Sequence, residues 1–193
     1  MKTGKRNWTF GEGEFDANKF LPPLFGIPIS IKDSFDVEGL ATTFGLMSRA
    51  NSTPVESPLV KCLKNSGMIP FVKTNVPQLL MTFETNNNLW GRSLNPWNRE
   101  RTVGGSSGGE AALIAVRGSP LGIGSDVGGS LRIPAEYNGV FTLKPSSKRI
   151  STTYHAYIYE DAAKCPKPLL VDRKEFLCAW VHSPDPLKIW PYG

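Results

Sequence analysis

Gly104-Gly105-Ser106-Ser107-Gly108-Gly109-Glu110 and its near-echo Gly124-Ser125-Asp126-Val127-Gly128-Gly129-Ser130 decide how this chain is read. Between the two knots, residues 111–116 have the composition of a helix that closes near Gly118, and residues 121–124 that of a short strand. Ten of the 19 glycines in the chain fall within residues 101–139. Glycine costs backbone entropy, so this density needs a cause: dihedrals barred to other residues, or backbone held close to a ligand. Ser107 and Glu110 have the Ser-x-x-Glu spacing of a capping box at the start of that helix. Each knot therefore opens or closes an element, where backbone N–H groups point outward.

The same alternation continues upstream. Ile27-Pro28-Ile29-Ser30-Ile31-Lys32 reads as a strand, with Pro28 marking an edge or a strand start. The spacing predicts a helix over residues 57–66, with Ser57 as N-cap, Pro58 in the first helical position, and Gly67 as the stop. Leu59, Val60 and Leu63 form its apolar stripe, and residues 68–73 then read as a buried strand. Helix followed by strand, repeated, points to an α/β fold.

Composition narrows the classes. The 193 residues are 40% hydrophobic and 20% charged, with ten Phe and five Trp, which excludes disorder, collagen and coiled coil. No run approaches the roughly eighteen apolar residues of a membrane span. The basic start, Met1-Lys2-Thr3-Gly4-Lys5-Arg6, is not followed by an apolar signal core. A cytoplasmic location, or one peripheral to intracellular membranes, is expected. The net charge of +5 is spread along the chain instead of being gathered with aromatics on one element, so no nucleic-acid partner is expected. Cys62, Cys165 and Cys178 are odd in number and far apart. They fit neither a disulfide framework nor a zinc site, and no metal is expected.

The knots fail as phosphate loops. A P-loop needs Gly-Lys-Ser/Thr after its gap, and no such Lys follows either knot. Gly122-x-Gly124-x-x-Val127 has Val where a dinucleotide fingerprint has Gly or Ala, so no cofactor is expected. Acyl transfer needs a nucleophile, a base and N–H donors for an oxyanion. Ser130 after Gly128-Gly129 suits the nucleophile. His155 and His182, the only histidines, lie in the last 40 residues away from the glycine-rich part, which disfavours a Ser–His–Asp triad. A lysine serves as base when burial lowers its pKa from about 10.4 towards neutrality. Lys32, ending an apolar strand, is the best placed, although Asp33 beside it would oppose the shift if close. Surface solvation is the alternative for any single lysine.

Lys32 within Gly26-Ile27-Pro28-Ile29-Ser30-Ile31-Lys32-Asp33, the knot at 104–110, and the run from Gly124 through Ser130-Leu131-Arg132-Ile133-Pro134 together resemble the amidase signature family. The resemblance covers residues 21–151. Asn75-Val76-Pro77-Gln78, Asn95-Pro96-Trp97 and Gly118-Ser119-Pro120-Leu121-Gly122 are most similar to fatty-acid amide hydrolases within it. The resemblance implies a mixed β-sheet flanked by helices and a Ser–Ser–Lys triad. In it Ser130 would be the nucleophile, Lys32 the base, and Ser106 the bridge, joined to Gly105 by a cis peptide. Backbone N–H groups of Val127, Gly128, Gly129 and Ser130 would form the oxyanion hole, Ser107 would support the network, and Leu80 would line an acyl pocket. The implied substrate is a small-molecule amide, lipid-like; the resemblance leaves membrane association open, with no segment for it visible in this sequence. A glutamine amidotransferase-type subunit is the alternative within the family.

The chain also departs from that pattern. Members of the family are more than twice this length, and the region upstream is here a polar arm over residues 1–20. Residues 152–193, with two His, two Cys and five Pro, show no clear period and read as a divergent tail on a truncated chain. A catalytically incompetent fragment, or an interaction protein, is therefore the alternative from another class.

Overall fold

The computed structural model describes residues 21–146, residue 150 and the backbone of residues 176–181. The arm at 1–20, both histidines, Cys165 and most of the tail lie outside the described residues.

Strand β1, Pro28–Lys32, organises the rest. Its alternation sends Ile29 and Ile31 to one face and Ser30 and Lys32 to the other, and all four side chains are buried. On the first face, Ile29 and Ile31 join Phe35, Val37, Val60, Met68 and Ile123 in one core, with Leu59 and Leu63 packed against it. Val60, Leu59 and Leu63 come from α1, Pro58–Asn65, where Ser57 is the N-cap and its hydroxyl accepts from Val60 N–H at 3.4 Å. This helix forms as its sequence predicts. The second face is covered by α2, Gly108–Ala115, and α3, Arg132–Asn138, which share a core of Ala111, Ile114, Leu131 and Ala135.

The main sheet runs β2-β1-β5-β7-β6. Strands β2 (Ile69–Thr74) and β5 (Leu121–Asp126) both pair parallel with β1. Strand β7, Phe176–Val181, pairs antiparallel with β5 and with the short β6, Phe141–Thr142. The sheet is mixed and flanked by helices, as the resemblance implies. Pro28 marks a strand start, since β1 lies between two partners. Expected to be buried, β2 is instead outermost among the described strands, and Ile69 and Phe71 are each 49% exposed. Its apolar run resembles a central strand in composition alone. The antiparallel β7 comes from residues that the resemblance does not reach. A separate two-stranded ribbon pairs β3, Asn86–Asn87, with β4, Gly91–Arg92.

Glycine density in this region has a cause beyond the two expected from sequence: it lets α2 lie close on its neighbours. A Cβ at Gly124 would stand 2.6 Å from Leu131 and 2.7 Å from Ser107 Oγ. At Gly109 a Cβ would meet Asn75 N at 2.5 Å and Asn75 O at 2.6 Å, and that neighbour is backbone with no rotamer to change. Gly109→Ala is expected to destabilise the fold by about 1–3 kcal/mol through overpacking, read as a lower urea midpoint at unchanged slope.

Candidate active site

Lys32 ends β1 on the face that α2 covers, and it is 0% exposed. Its Nζ donates to Ser106 Oγ at 2.7 Å, to Ser125 Oγ at 2.9 Å and to Ser125 O at 3.3 Å. Burial of this depth disfavours a charged amine. Asp33, adjacent in sequence, turns to other partners: its carboxylate pairs with Lys73 Nζ at 2.6 Å and accepts from the Thr43 hydroxyl.

Ser106, 1% exposed, follows a cis peptide bond from Gly105. Gly105 is pressed against the segment 82–84, where a Cβ would stand 2.8 Å from Thr82 O. Ser107 is the N-cap residue of α2, yet its side chain makes no capping bond. Its hydroxyl instead donates to Ser125 O at 3.2 Å, and its N–H donates to Ser130 O at 3.0 Å. The capping box expected between Ser107 and Glu110 is absent because the tertiary partners of both residues win over the local ones. Ser107 thus ties the first knot to both ends of the second.

The second knot is anchored by Asp126. Gly129 N–H donates to Asp126 Oδ1 at 2.7 Å, Leu131 N–H to Oδ2 at 3.1 Å, and Arg132 reaches the carboxylate with Nε at 2.9 Å. Burial pushes this carboxyl up, but the bonds from Arg132, Leu131 and Gly129 outweigh it and hold it down at about 2. The group's contribution to stability is therefore present above about 3.8 and lost as pH falls towards 2. Asp126→Asn, which keeps the shape but not the charge, is expected to cost about 2–3 kcal/mol of stability by chemical denaturation. Gly129 N–H is committed to Asp126, whereas Val127 and Gly128 lie exposed at the top of the loop. Ser130 is half-buried beside them.

Leu80 sits in a 3-10 turn, Gln78–Leu80, in which Leu79 and Leu80 have φ of 58° and 60°. Such values are uncommon for bulky residues and mark a chain held by its surroundings. Just beyond it, Phe83 is 52% exposed and approaches Gly129, where a Cβ would lie 3.8 Å from its ring. Met81, Phe83 and Val127 are exposed apolar residues along this part of the surface.

Glu110 is fully buried in the first turn of α2. Loss of solvation pushes its carboxyl up to about 7, against the pull of hydroxyls from Ser30 and Thr74 and of the charge on Lys32. Between pH 4.5 and 7 the folded chain keeps a proton that the unfolded chain has released, so stability falls as pH rises across that window. The expected loss is about 3 kcal/mol, read as the difference in urea midpoint between pH 4.5 and 7 that disappears in Glu110→Gln.

The fold brings Lys32, Ser106 and Ser107 into one hydrogen-bonded cluster and ties Ser130 to it through Ser107. Ser125 belongs to the same cluster, and Glu110, bonded to Ser30 and Thr74, forms a second group that feels the charge of Lys32; the sequence assigns none of these four to the site. The signal available for Ser30 was its place two residues before Lys32, on the same strand face. An open depression of about 590 Å³, lined by Asp33, Phe71, Lys73, Thr74 and Trp90 among others, reaches Thr74 but none of Lys32, Ser106, Ser107 and Ser130. Among the described residues, no three His, Cys, Asp or Glu side chains gather as a metal site, and no helix is long and apolar enough to cross a membrane.

Comparison with known proteins places the chain. A family model described as Amidase matches residues 12–162. A putative amidase, kk1C, of Curvularia clavata is 52% identical over 134 residues, covering 69% of this chain and 25% of that protein. Fatty-acid amide hydrolase 1 of Sus scrofa is 48% identical over 130 residues, covering 66% of this chain and 22% of that protein. A solved fatty acid amide hydrolase aligns with a TM-score of 0.74 at 32% identity, over 90% of this chain and 29% of that one. The chain spans about a quarter of the length of the curated relatives it matches. On the family match, on these identities and on the shared fold, the chain belongs to the amidase family.

Proposed function

We propose that this chain carries the catalytic face of a serine amidase, cleaving a carboxylic amide through an acyl-enzyme on Ser130. The observation that carries this reading is the fully buried Lys32 amine 2.7 Å from Ser106 Oγ. Neutral Lys32 takes the Ser106 hydroxyl proton while Ser106 takes that of Ser130, whose oxygen attacks the amide carbon. The proton then returns through Ser106 to the leaving nitrogen, the C–N bond breaks, and water later releases the acid from the Ser130 ester. N–H groups of Val127, Gly128 and Ser130 meet the oxyanion, with Gly129 fixed by Asp126 to hold the loop in shape. Ser107 supports Ser130 by donating its N–H to the Ser130 carbonyl oxygen.

A lipid-like amide is the substrate class favoured by the exposed Met81 and by Phe83, whose ring stands beside Gly129, with the half-buried Leu80 assigned to the acyl path. Similarity to fatty-acid amide hydrolases supports the same class. In domain terms, the amidase unit is centred on residues 21–151, within the 12–162 that the family model matches, and residues 176–181 of the divergent tail lend β7 to the sheet. The test is a fluorophosphonate probe with peptide mapping by mass spectrometry. An adduct on Ser130 is expected. A folded chain that stays unlabelled, or is labelled on another serine, rejects the reading.

A further inference from the structure

Glu110 is a buried ionisable group that the proposed reaction leaves unused. Ser30 Oγ donates to its Oε2 and Thr74 Oγ1 to its Oε1, each at 2.6 Å. Both donors stand on strands: Ser30 two residues before Lys32 on β1, and Thr74 opposite Lys32 in the β1–β2 register. From α2, the carboxyl thus straps two strands at the level of the amine. On β5 the neighbour is Gly122, where a Cβ would collide with Glu110 Oε2 and Ser30 Oγ, so that side is closed by backbone. Ala111 and Ile114, also buried, follow it on α2. Among the described residues, Lys32 on β1 is the charged group that acts on Glu110, while β2 offers the Thr74 hydroxyl and β5 the backbone at Gly122. A helix-capping role does not account for this placement, because Ser107 N–H donates to Ser130 O and Ser107 Oγ to Ser125 O.

We propose that Glu110 is a positioning residue for Lys32: its strap fixes where the amine stands, and its charge sets how readily Lys32 gives up its proton. This rests on the reading of Lys32 as base. An ionised carboxylate favours the ammonium form, whereas a protonated one lets the amine become neutral. Lys32 pulls against the rise that burial causes in Glu110, and the proposal requires the two groups to titrate as a pair, in two steps that belong to both. Burial that holds Glu110 at about 7 brings one of those steps into the neutral range.

The test uses the whole chain labelled with ¹³C-lysine. The Lys32 Cε resonance, assigned by its loss in Lys32→Ala, is followed against pH in parallel with fluorophosphonate labelling rates. The wild-type resonance is expected to titrate in two steps. In Glu110→Gln it is expected to titrate in one step, with its midpoint lower by about one pH unit, and the labelling profile is expected to move with it. A one-step wild-type curve overturns the proposal, even if Glu110→Gln does not fold. So does a variant that labels more slowly with an unmoved midpoint, because a purely structural role predicts that result. Absence of labelling beside a two-step Lys32 curve rejects the amidase reading while supporting the coupling of Glu110 to Lys32.

Discussion

Ser130→Ala is expected to abolish acyl-enzyme formation, leaving no fluorophosphonate adduct and no measurable amide hydrolysis above background. The expectation follows from the chemistry assigned to Ser130. Alanine removes the attacking oxygen, and neither Ser106 nor Ser107 can replace it: both are buried, the first against Lys32 and the second against Ser125. Removing a side chain from a half-buried loop position leaves the surrounding bonds intact, since Ser130 is held here through its carbonyl oxygen. The variant should therefore fold with a denaturation midpoint close to that of the parent. A variant that keeps its labelling would place the nucleophile elsewhere.

Lys32→Ala is expected to lower the labelling rate at neutral pH by roughly 10²–10⁴-fold, the range for loss of a positioned general base. Part of the rate should return at alkaline pH, where hydroxide takes over proton removal. The same substitution empties a fully buried site and leaves the hydroxyls of Ser106 and Ser125 short of a partner, so a stability loss of about 2–5 kcal/mol accompanies it. Lys32→Met separates the two effects, because it fills the volume without a basic nitrogen. A rate that falls equally in both variants, with the same alkaline recovery, assigns the loss to the amine. Labelling in Lys32→Met at the parent rate and with the parent pH profile would remove Lys32 from the mechanism.

Much of this arrangement is legible in the sequence wherever a local rule and the tertiary fold agree. Helix α1 is such a case, because Ser57, Pro58 and the Leu59, Val60 and Leu63 stripe all point one way. Reading fails where distant partners take over a locally plausible motif. Ser107 and Glu110 have capping-box spacing, yet each is claimed by residues on strands that only the folded chain brings near. Strand β2 reads as buried because an apolar run carries no information about how many neighbours a strand has. Strand β7 belongs to a stretch with no period, and its place beside β5 is fixed by pairing across the sheet.

The alternation along β1 ties folding fidelity to chemistry. Ile29 and Ile31 fill one core while Ser30 and Lys32 face α2. A slip of one residue in the pairing of β1 would exchange the two sets, burying an amine among Phe35, Val60 and Ile123 and setting isoleucine against Glu110. No such misaligned state can be nearly right: it forfeits the hydrocarbon core and the contact of Lys32 with Ser106 together. Strand register therefore acts as a proofreading step, through which a chain that has reached its stable form has also set Lys32 against Ser106 and Ser125.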